Sequence, residues 1–510
     1  MDRIADIDMR TEDDAAADGP RAATGQGIRT GAQYLAGLRD GREIWTRGAR
    51  VEDVTAEPGI ARGAKTLAAF LDRQHDPEYR DTVTYVDDEG RRCAMAYRMP
   101  RSRQDVKARG RAYGEWARWS NGMFGRTPDY KNASLMAFAS AAEFLEQGTK
   151  GPGGKEFARN MRAFYDYARL NDRVLTHTLV NPTMNFDVAR EGKYSQEVAL
   201  HVTEERDDGI VVNGARLLAT LGPLADEIEV FPSTVLKGSD ENVPFAFAFA
   251  LPIATPGLKM LARDTYDHGK SEFDAPLSSR FEEMDAVVVF ENVFVPWERV
   301  FMYGEPQLCN QAFNRTNAVV HMMHQVAHGK LAKAEFMVGL MTKIAAATGR
   351  DKDLYTKGLI AEVMQMAETV RSHIFAAEEQ AHEDEWGNWI PLRAPLDTSR
   401  NMFPRMYPRM VEILQLIGSS SLMATPAEAD FDNAMAADVE RYFQLAHMGS
   451  RERVALYRLA HDVAVSGFGN RQQLYERFFF GPPALMASAY YDLYDKEPLQ
   501  VRVEKLLDEA

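Results

Sequence analysis

The chain has 510 residues, of which 45% are hydrophobic and 26% charged, and its formal net charge is −15. This length supports a large core and roughly two or three domains. The acidic balance, with no basic stripe, argues against nucleic-acid binding, and no apolar run reaches the roughly 18 residues of a membrane helix. The only cysteines, Cys93 and Cys309, are too few for a disulfide scaffold or a cysteine-ligated metal cluster. We therefore expect a cytoplasmic protein.

Residues 1–29 are polar, acidic and rich in alanine and glycine, which predicts a disordered leader. Helical periodicity begins after Thr30, a residue suited to an N-cap. It recurs over residues 61–71, 104–119, 135–145 and 156–170. A short alternating segment at 43–54 and a glycine-rich loop at 148–154 lie between the helical stretches. We assign residues 30–172 to an N-terminal helical domain.

The hydrophobic period changes to two within residues 173–305, which predicts a central β domain. Residues 198–205 and 210–218 flank a tight turn, as in a β-hairpin. Further strands are predicted at 227–235, around the alternating residues Phe245, Phe247 and Phe249, and at 285–294.

The helical period returns in residues 306–510, which predicts a C-terminal helical bundle and tail. One long helix carries a single apolar stripe, made of Leu359, Val363, Met366, Val370 and Ile374. Residues 411–417, 436–445 and 451–465 predict further helices. A β domain between two helical domains indicates an α+β fold rather than a parallel βαβ sheet.

The segment at 122–133 follows a predicted helix and has the composition of a stiff bend. Gly122 and Gly125 allow positive φ or the close approach of another group. Pro128 fixes its own φ and keeps Thr127 extended.

This bend presents Arg126 beside Tyr130. Arginine is a permanent cation with a planar fork of donors, and tyrosine adds a hydroxyl on a rigid ring. The pair suits a small anion or a phenolate. The alternative is that Arg126 pairs with Asp129 and Tyr130 packs in the core.

Nucleotide and metal motifs are missing or incomplete. There is no G-x-G-x-x-G after a strand and no P-loop, so we expect neither a Rossmann nicotinamide site nor a P-loop site. His321, His324 and His328 have helical spacing, but no carboxylate lies near them in the sequence, which indicates a buried or site-lining face rather than a metal site. One Glu-x-x-His at 379–382 is too little for a di-iron bundle and indicates an exposed helix end.

Two further segments leave their role open. His177, among apolar residues at the entrance to the β domain, is either a hydrogen-bonded core residue or a base for a phenol proton. The small polar turn at 415–421 is either a helix C-cap or a donor of backbone N–H groups to a phosphate.

Together these residues resemble the family of 4-hydroxyphenylacetate 3-monooxygenase oxygenase components, which are two-component, reduced-flavin-dependent phenol hydroxylases. The resemblance extends from about residue 30 to residue 494. It rests on the strings at 40–43, 48–55, 125–130 (GRTPDY), 176–182 (THTLVNP), 276–280 (PLSSR), 295–301 (VPWERVF), 403–409 (FPRMYPR) and 474–477 (LYER).

The resemblance implies an acyl-CoA dehydrogenase-like fold: an N-terminal helical domain, an antiparallel β-barrel-like domain, and a helical bundle that builds a homotetramer. It implies FAD, used as FADH2 with O2, and a separate flavin reductase that alone uses NAD(P)H. The implied reaction is ortho-hydroxylation of a para-substituted phenol, such as 4-hydroxyphenylacetate, to a catechol through a C4a-hydroperoxyflavin.

The resemblance also implies site residues, position by position. Arg126, Tyr130 and His177 would surround the phenol oxygen and carry catalysis, supplying a charge, a hydrogen bond and a base or second donor. Ser233 and Thr234 would lie near the other end of the substrate. The implied flavin contacts are His177, Thr183, Met184, Asn185, Phe186, Thr220, Ser466, Gly467, Phe468 and Gly469. No metal is implied.

Other activities remain as alternatives. The same chemistry could act on a chlorophenol, or on a tyrosine-derived precursor that is free or tethered to a carrier. An FAD-containing acyl-CoA dehydratase would need an iron–sulfur cluster with several thiolates, and a dehydrogenase would need a carboxylate over the flavin. A non-catalytic helical assembly protein would need no flavin at all.

Overall fold

The computed structural model describes residues 25–147, 156–182, 184, 195–232, 236, 238 and 240–509. The helices that precede the central strands are α1 (Gly31–Gly37), α2 (Ala61–Arg73), α3 (Arg80–Val83), α4 (Arg103–Trp119), α5 (Pro128–Ser140) and α6 (Glu156–Leu170). The strands are β1 (Glu43–Thr46), β2 (Ala49–Val51), β3 (Thr84–Val86), β4 (Arg92–Ala94), β5 (Leu175–Thr178), β6 (His201–Glu205), β7 (Gly209–Thr220), β8 (Glu227–Val230), β9 (Phe247–Pro252), β10 (Leu258–Ala262), β11 (Asp285–Pro296), β12 (Val300–Tyr303), β13 (His382–Glu383) and β14 (Trp389–Ile390). The remaining helices are α7 (Ser278–Phe281), α8 (Pro306–Arg315), α9 (Ala318–Ala347), α10 (Leu354–Glu379), α11 (Arg393–Gly418), α12 (Ala436–Tyr442), α13 (Ser450–Ala464), α14 (Gly467–Phe478), α15 (Pro483–Leu493) and α16 (Glu497–Asp508).

Two sheets form the centre of the fold. The larger has the order β2-β1-β10-β11-β7-β6 and the smaller the order β12-β9-β8-β5. Most neighbours are antiparallel, as predicted, but β1 is parallel to β10 and β5 is parallel to β8. Because β1 and β2 come from the predicted N-terminal helical domain, the larger sheet joins that region to the β region. The division into three domains stays a prediction.

The helical region is built around α9, a helix of 30 residues. It packs against α4, α5, α10 and α11, so it connects the N-terminal helices with the C-terminal ones. The predicted stripe at residues 359–374 lies on α10, and four of its five residues are buried. No helix in the described ranges is long and apolar enough to cross a bilayer.

Two helices differ from their predicted bounds. α5 begins at Pro128 rather than near residue 135, because proline at the first helical position lacks only an N–H that would have no helical partner. α11 continues through Pro404 and Pro408, whereas only residues 411–417 were predicted as helix. Internal prolines each cost a helical hydrogen bond, and burial of side chains such as Phe403 and Tyr407 offsets that cost.

Residues 25–29, at the end of the predicted leader, are part of the folded structure. The N–H of Gly27 donates to the carbonyl of Leu170 at 2.9 Å, and that of Ile28 donates to the carbonyl of Arg92 at 2.7 Å. Arg29 is buried and forms an ion pair with Asp226. The predicted disorder of residues 1–24 lies outside the described residues.

Candidate functional site

The bend before α5 needs both of its glycines. Gly122 has φ +70°, a conformation that disfavours other residues. A Cβ on Gly125 would lie 2.7 Å from Tyr475 Cζ and 2.9 Å from Glu283 Oε1. The predicted positive φ and close approach are both confirmed, at Gly122 and Gly125.

Arg126 leaves this bend as a buried cation whose guanidinium bonds a tyrosine hydroxyl. Its Nη1 donates to Tyr475 Oη at 2.9 Å, and its Cζ lies 4.1 Å from the centroid of the Tyr130 ring. Within the described residues no carboxylate forms an ion pair with its guanidinium, so the predicted alternative of a pair with Asp129 is wrong, whereas the burial of Tyr130 that it also expected is borne out. The guanidinium charge is therefore available to an anionic ligand.

His177 lies on β5, on the wall of the cavity that Arg126 also lines. Its ring centroid is 5.9 Å from that of Tyr130, so the three residues implied for the phenol oxygen are brought together. Burial, and then the charges of Lys131 and Arg126, hold the pKa of His177 well below its usual value. Near neutral pH the imidazole is neutral and can accept a hydrogen bond.

A buried ion pair lies beside this group. Lys131 Nζ is 2.5 Å from Glu229 Oε2, and Glu229 is the direct neighbour of His177 across the β5–β8 pairing. Burial lowers the pKa of Lys131 and raises that of Glu229, while each charge favours the other. Because Lys131 is paired with Glu229, Arg126 is the cation of this group whose guanidinium forms no ion pair within the described residues.

The cavity has a volume of about 790 Å³ and lies between the larger sheet and α14. Several of its apolar side chains are strongly exposed: Val180, Leu218, Leu261, Leu474 and Phe478. Apolar side chains that converge on a cleft with a few charged groups are typical of a cofactor site. The cleft therefore has the size and the lining for a large ligand with a flat apolar part.

The residues implied for the flavin are placed unequally. Thr220 lines the cavity, and its hydroxyl donates to Asp285 Oδ1 at 2.7 Å. Met184 is 65% exposed. Thr183, Asn185, Phe186, Ser233 and Thr234 lie outside the described residues.

The segment at 466–469 forms the start of α14 rather than the cavity wall. Ser466 Oγ accepts from the N–H of Gly469 at 3.0 Å, so it is the N-cap. Phe468 is buried, and a Cβ on Gly469 would lie 2.1 Å from the carbonyl oxygen of Val463. Gly467 packs near Tyr266, which does line the cavity.

The wall residues of α14 lie further along the helix. They share one face and are Arg471, Leu474, Tyr475 and Phe478. Their spacing of three and four residues is the signal that could have identified them from the sequence.

Glu283 connects α14 to the bend, and sequence reasoning missed it. Its carboxylate accepts from the N–H of Arg126 at 2.8 Å and from the N–H of Gly125 at 3.2 Å. Arg471 Nη1 donates to the same carboxylate at 2.6 Å and also pairs with Asp285 at 2.7 Å. These buried charges hold the backbone of Arg126 in place.

Asp129 provides a test of this environment through pH. Burial raises its pKa to about 6, and its Oδ2 has no hydrogen-bond partner. Because this pKa is about 6 rather than the ordinary 3.8, ionised Asp129 lowers the free energy of unfolding by about 3 kcal/mol above pH 6. This destabilisation disappears as the folded state takes up a proton between pH 6 and pH 3.8. Asp129→Asn does not titrate, so its stability relative to the unsubstituted protein should be greatest near pH 7–8 and should fall as the pH falls. Urea unfolding of both proteins at several pH values measures this, and a constant difference would contradict it.

Two family models match nearly the whole chain. One, described as 4-hydroxyphenylacetate 3-hydroxylase N terminal, matches residues 30–302, and the other, the C terminal of the same hydroxylase, matches residues 309–508. The chain belongs to the 4-hydroxyphenylacetate 3-hydroxylase family.

A curated member of this hydroxylase family, the 4-hydroxyphenylacetate 3-monooxygenase oxygenase component of Thermus thermophilus, is 44% identical over 483 residues, covering 94% of this chain and 98% of its own. A solved structure of such a component (HpaB), complexed with FAD and 4-hydroxyphenylacetate, has a TM-score of 0.89 at 44% identity, with coverage of 94% and 98%. An archaeal 4-hydroxybutyryl-CoA dehydratase from N. maritimus has a TM-score of 0.84 over 95% of both chains at 15% identity, which indicates a common fold alone. The predicted family and the acyl-CoA dehydrogenase-like α+β fold class are confirmed.

Proposed function

We propose that this chain is the oxygenase component of a two-component, reduced-FAD-dependent monooxygenase that hydroxylates 4-hydroxyphenylacetate to a catechol. The observation that carries the proposal is the buried cation Arg126, whose guanidinium forms no ion pair within the described residues and lines a large cavity together with His177. A relative that is 44% identical over nearly its whole length binds FAD and 4-hydroxyphenylacetate.

The cavity fits FAD in volume and in its exposed apolar lining. When bound in reduced form, FAD would supply oxygen activation and the transfer of one oxygen atom to the ring. The proposed contacts are His177, Thr183, Met184, Asn185, Phe186 and Thr220, together with the segment Ser466, Gly467, Phe468 and Gly469 at the start of α14, which lies beside the cavity-lining Tyr266.

The residues around the phenol oxygen act by selecting the anion. Arg126 lowers the pKa of a bound phenol, because a nearby cation stabilises the phenolate. The neutral ring of His177 accepts a hydrogen bond from the phenol hydroxyl, and Tyr130 packs under the Arg126 guanidinium and fixes its direction. A phenolate is richer in electrons at its ortho carbon than a phenol is, so this arrangement favours attack there. Ser233 and Thr234 are the proposed contacts for the far end of the substrate.

The proposal includes partners. We propose a separate flavin reductase, which uses NAD(P)H and delivers FADH2 by diffusion. We also propose that this chain works as a homotetramer and that both proteins are located in the cytoplasm. Support for the homotetramer comes from α15 and α16, which bury no residue in the single chain and expose Leu485, Tyr491, Leu493, Leu506 and Leu507.

Product analysis tests the proposed function. The purified protein would be supplied with FAD, NADH and a generic flavin reductase, with 4-hydroxyphenylacetate, tyrosine and a chlorophenol in parallel. We expect the catechol 3,4-dihydroxyphenylacetate from 4-hydroxyphenylacetate, with little hydrogen peroxide. Peroxide without catechol would contradict the substrate, and no flavin-dependent oxygen use would contradict the enzyme class.

Tyr475 is expected to position Arg126. Its hydroxyl accepts from Arg126 Nη1 and donates to the carbonyl of Gly125, both at 2.9 Å. Tyr475→Phe should lower kcat/KM for catechol formation about tenfold, because a hydrogen bond to a charged group contributes about 1.5 kcal/mol. Steady-state kinetics measures this change. Tyr490→Phe is the matched control, because the hydroxyl of Tyr490 bonds Thr398 rather than Arg126. Equal values of kcat/KM for the two variants would mean that Tyr475 does not position Arg126.

A further inference from the structure

A cluster of His324, His328 and Glu378 lies where α4, α9 and α10 meet. The two histidines are one turn apart on α9, and Glu378 is in the last turn of α10. Glu378 Oε1 is 2.8 Å from His324 Nε2 and 3.3 Å from His328 Nε2. One ligand atom from each of the three residues lies within 4.8 Å of the others.

These separations fit a small cation. Tetrahedral ligands with bonds of about 2.0–2.1 Å are about 3.4 Å apart, and two imidazoles with one carboxylate are a known donor set for zinc. The 3.3 Å distance from the shared oxygen already matches this spacing, the 2.8 Å distance would lengthen by about 0.6 Å, and the two histidine nitrogens lie within 4.8 Å of each other. Small rotations of the side chains provide such shifts.

The neighbouring helix leaves room for the cluster. A Cβ on Gly110 of α4 would lie 2.0 Å from Glu378 Oε1 and 3.0 Å from His328 Nε2, so any larger residue would push the carboxylate away. The ring of Tyr113, one turn further along α4, lies 5.4 Å from the His324 ring. The side chains of His328 and Glu378 are 12% and 16% exposed, which provides a route for an ion.

Two cations of α4 near the cluster, Arg109 and Lys107, have partners of their own. Arg109, which precedes Gly110 on α4, donates to Tyr113 Oη at 2.7 and 3.0 Å and to a backbone carbonyl at 3.2 Å. Lys107 pairs with Glu379 at 2.5 Å. His321, one turn before His324, is also buried.

We propose that His324, His328 and Glu378 bind one divalent transition-metal ion of the zinc class. The site joins α9 to α10, and Gln325 on α9 contacts Asp129 Oδ1 at 3.2 Å, at the start of α5. Its role is to fix the position of α9 rather than to touch the phenol. The spacing of the histidines raised a metal site in the sequence analysis, which favoured a buried or site-lining face because Glu378 is 54 and 50 residues away from the two histidines.

Cobalt binding tests the proposal. Untagged protein, stripped with a chelator, would be titrated with Co²⁺ and followed by the visible d–d absorption of a four- or five-coordinate ion, with the stoichiometry from equilibrium dialysis. We expect one Co²⁺ per chain, displaced by Zn²⁺. A stripped protein that gains neither the absorption nor one equivalent of ion would overturn the proposal, whatever the variants do.

Variants locate the ion. Glu378→Gln and His328→Gln should each weaken binding by more than about tenfold, since loss of even an outer-shell partner of a metal costs 10–100-fold. His382→Gln is the matched control, because this exposed histidine lies just beyond the end of α10. Circular dichroism would establish that each variant is folded. Unchanged affinity in both folded cluster variants, or equal loss in the control, would place the ion elsewhere and overturn the assignment.

Discussion

Arg126→Ala should lower catechol formation about 10²–10³-fold, the usual loss when one group that stabilises a developing anion is removed. Oxidation of reduced FAD by O2 should continue, because in the proposed site Arg126 acts on the phenol oxygen and is only one of many residues that line the cavity. Hydrogen peroxide should then replace catechol as the main product of NADH consumption. The measurement is the ratio of catechol to NADH consumed, with peroxide and oxygen followed in parallel.

Two controls define the contribution of Arg126. Arg126→Lys keeps the charge but loses the planar group that stacks on Tyr130 and bonds Tyr475, so its ratio should lie between those of the alanine variant and the unsubstituted protein. Arg371→Ala removes an exposed arginine that pairs with Glu335 and should change nothing. An unaltered ratio in Arg126→Ala would mean that another group binds the phenolate.

Arg471→Met should cost about 3–5 kcal/mol of the free energy of unfolding, because it leaves buried carboxylates without their cation. Arg471 is itself buried and pairs with both Glu283 and Asp285. Urea unfolding without FAD measures the loss, at one fixed protein concentration because association also contributes to stability.

The free energy of unfolding that Arg471→Met loses should become smaller as the pH falls. Burial alone would raise the pKa of Asp285, but Arg471 and Arg263 hold it well below 3.8. That stabilisation is present above pH 3.8 and is lost as the pH falls below it. The difference between the unsubstituted protein and Arg471→Met should therefore narrow on acidification.

Arg409→Met, which removes solvent-exposed pairs with Glu362 and Glu412, is the control and should change stability little. Similar losses in both variants would show that burial of the network is not the cause.

Local patterns predicted much of the fold. The hairpin across residues 206–209 became β6 and β7, and α6 has the predicted bounds, since alternation and helical period are properties of neighbouring residues. The bend was also readable, because Gly122 and Gly125 are required by their own backbone geometry. The resemblance brought Arg126, Tyr130 and His177 together, and the structure places them in one group.

The remainder depends on contacts that no local pattern encodes. Nothing near Glu283 in the sequence indicates that it accepts from the backbone of Arg126, which is 157 residues away. Arg471 and Tyr475 look like ordinary helix residues until α14 is packed against the bend. The continuous α11 was missed for a related reason, because tertiary packing outweighs the local cost of Pro404 and Pro408.

The hydrogen bond between Arg126 and Tyr475 joins groups 349 residues apart, which has a consequence for synthesis on the ribosome. At about 5–20 residues per second, roughly 20–70 s pass between the emergence of the two residues. Throughout that interval the guanidinium lacks the hydroxyl that orients it, and the cavity lacks the wall that α14 provides. A nascent or prematurely ended chain therefore lacks both the oriented cation and one wall of the proposed site until residue 475 has been made.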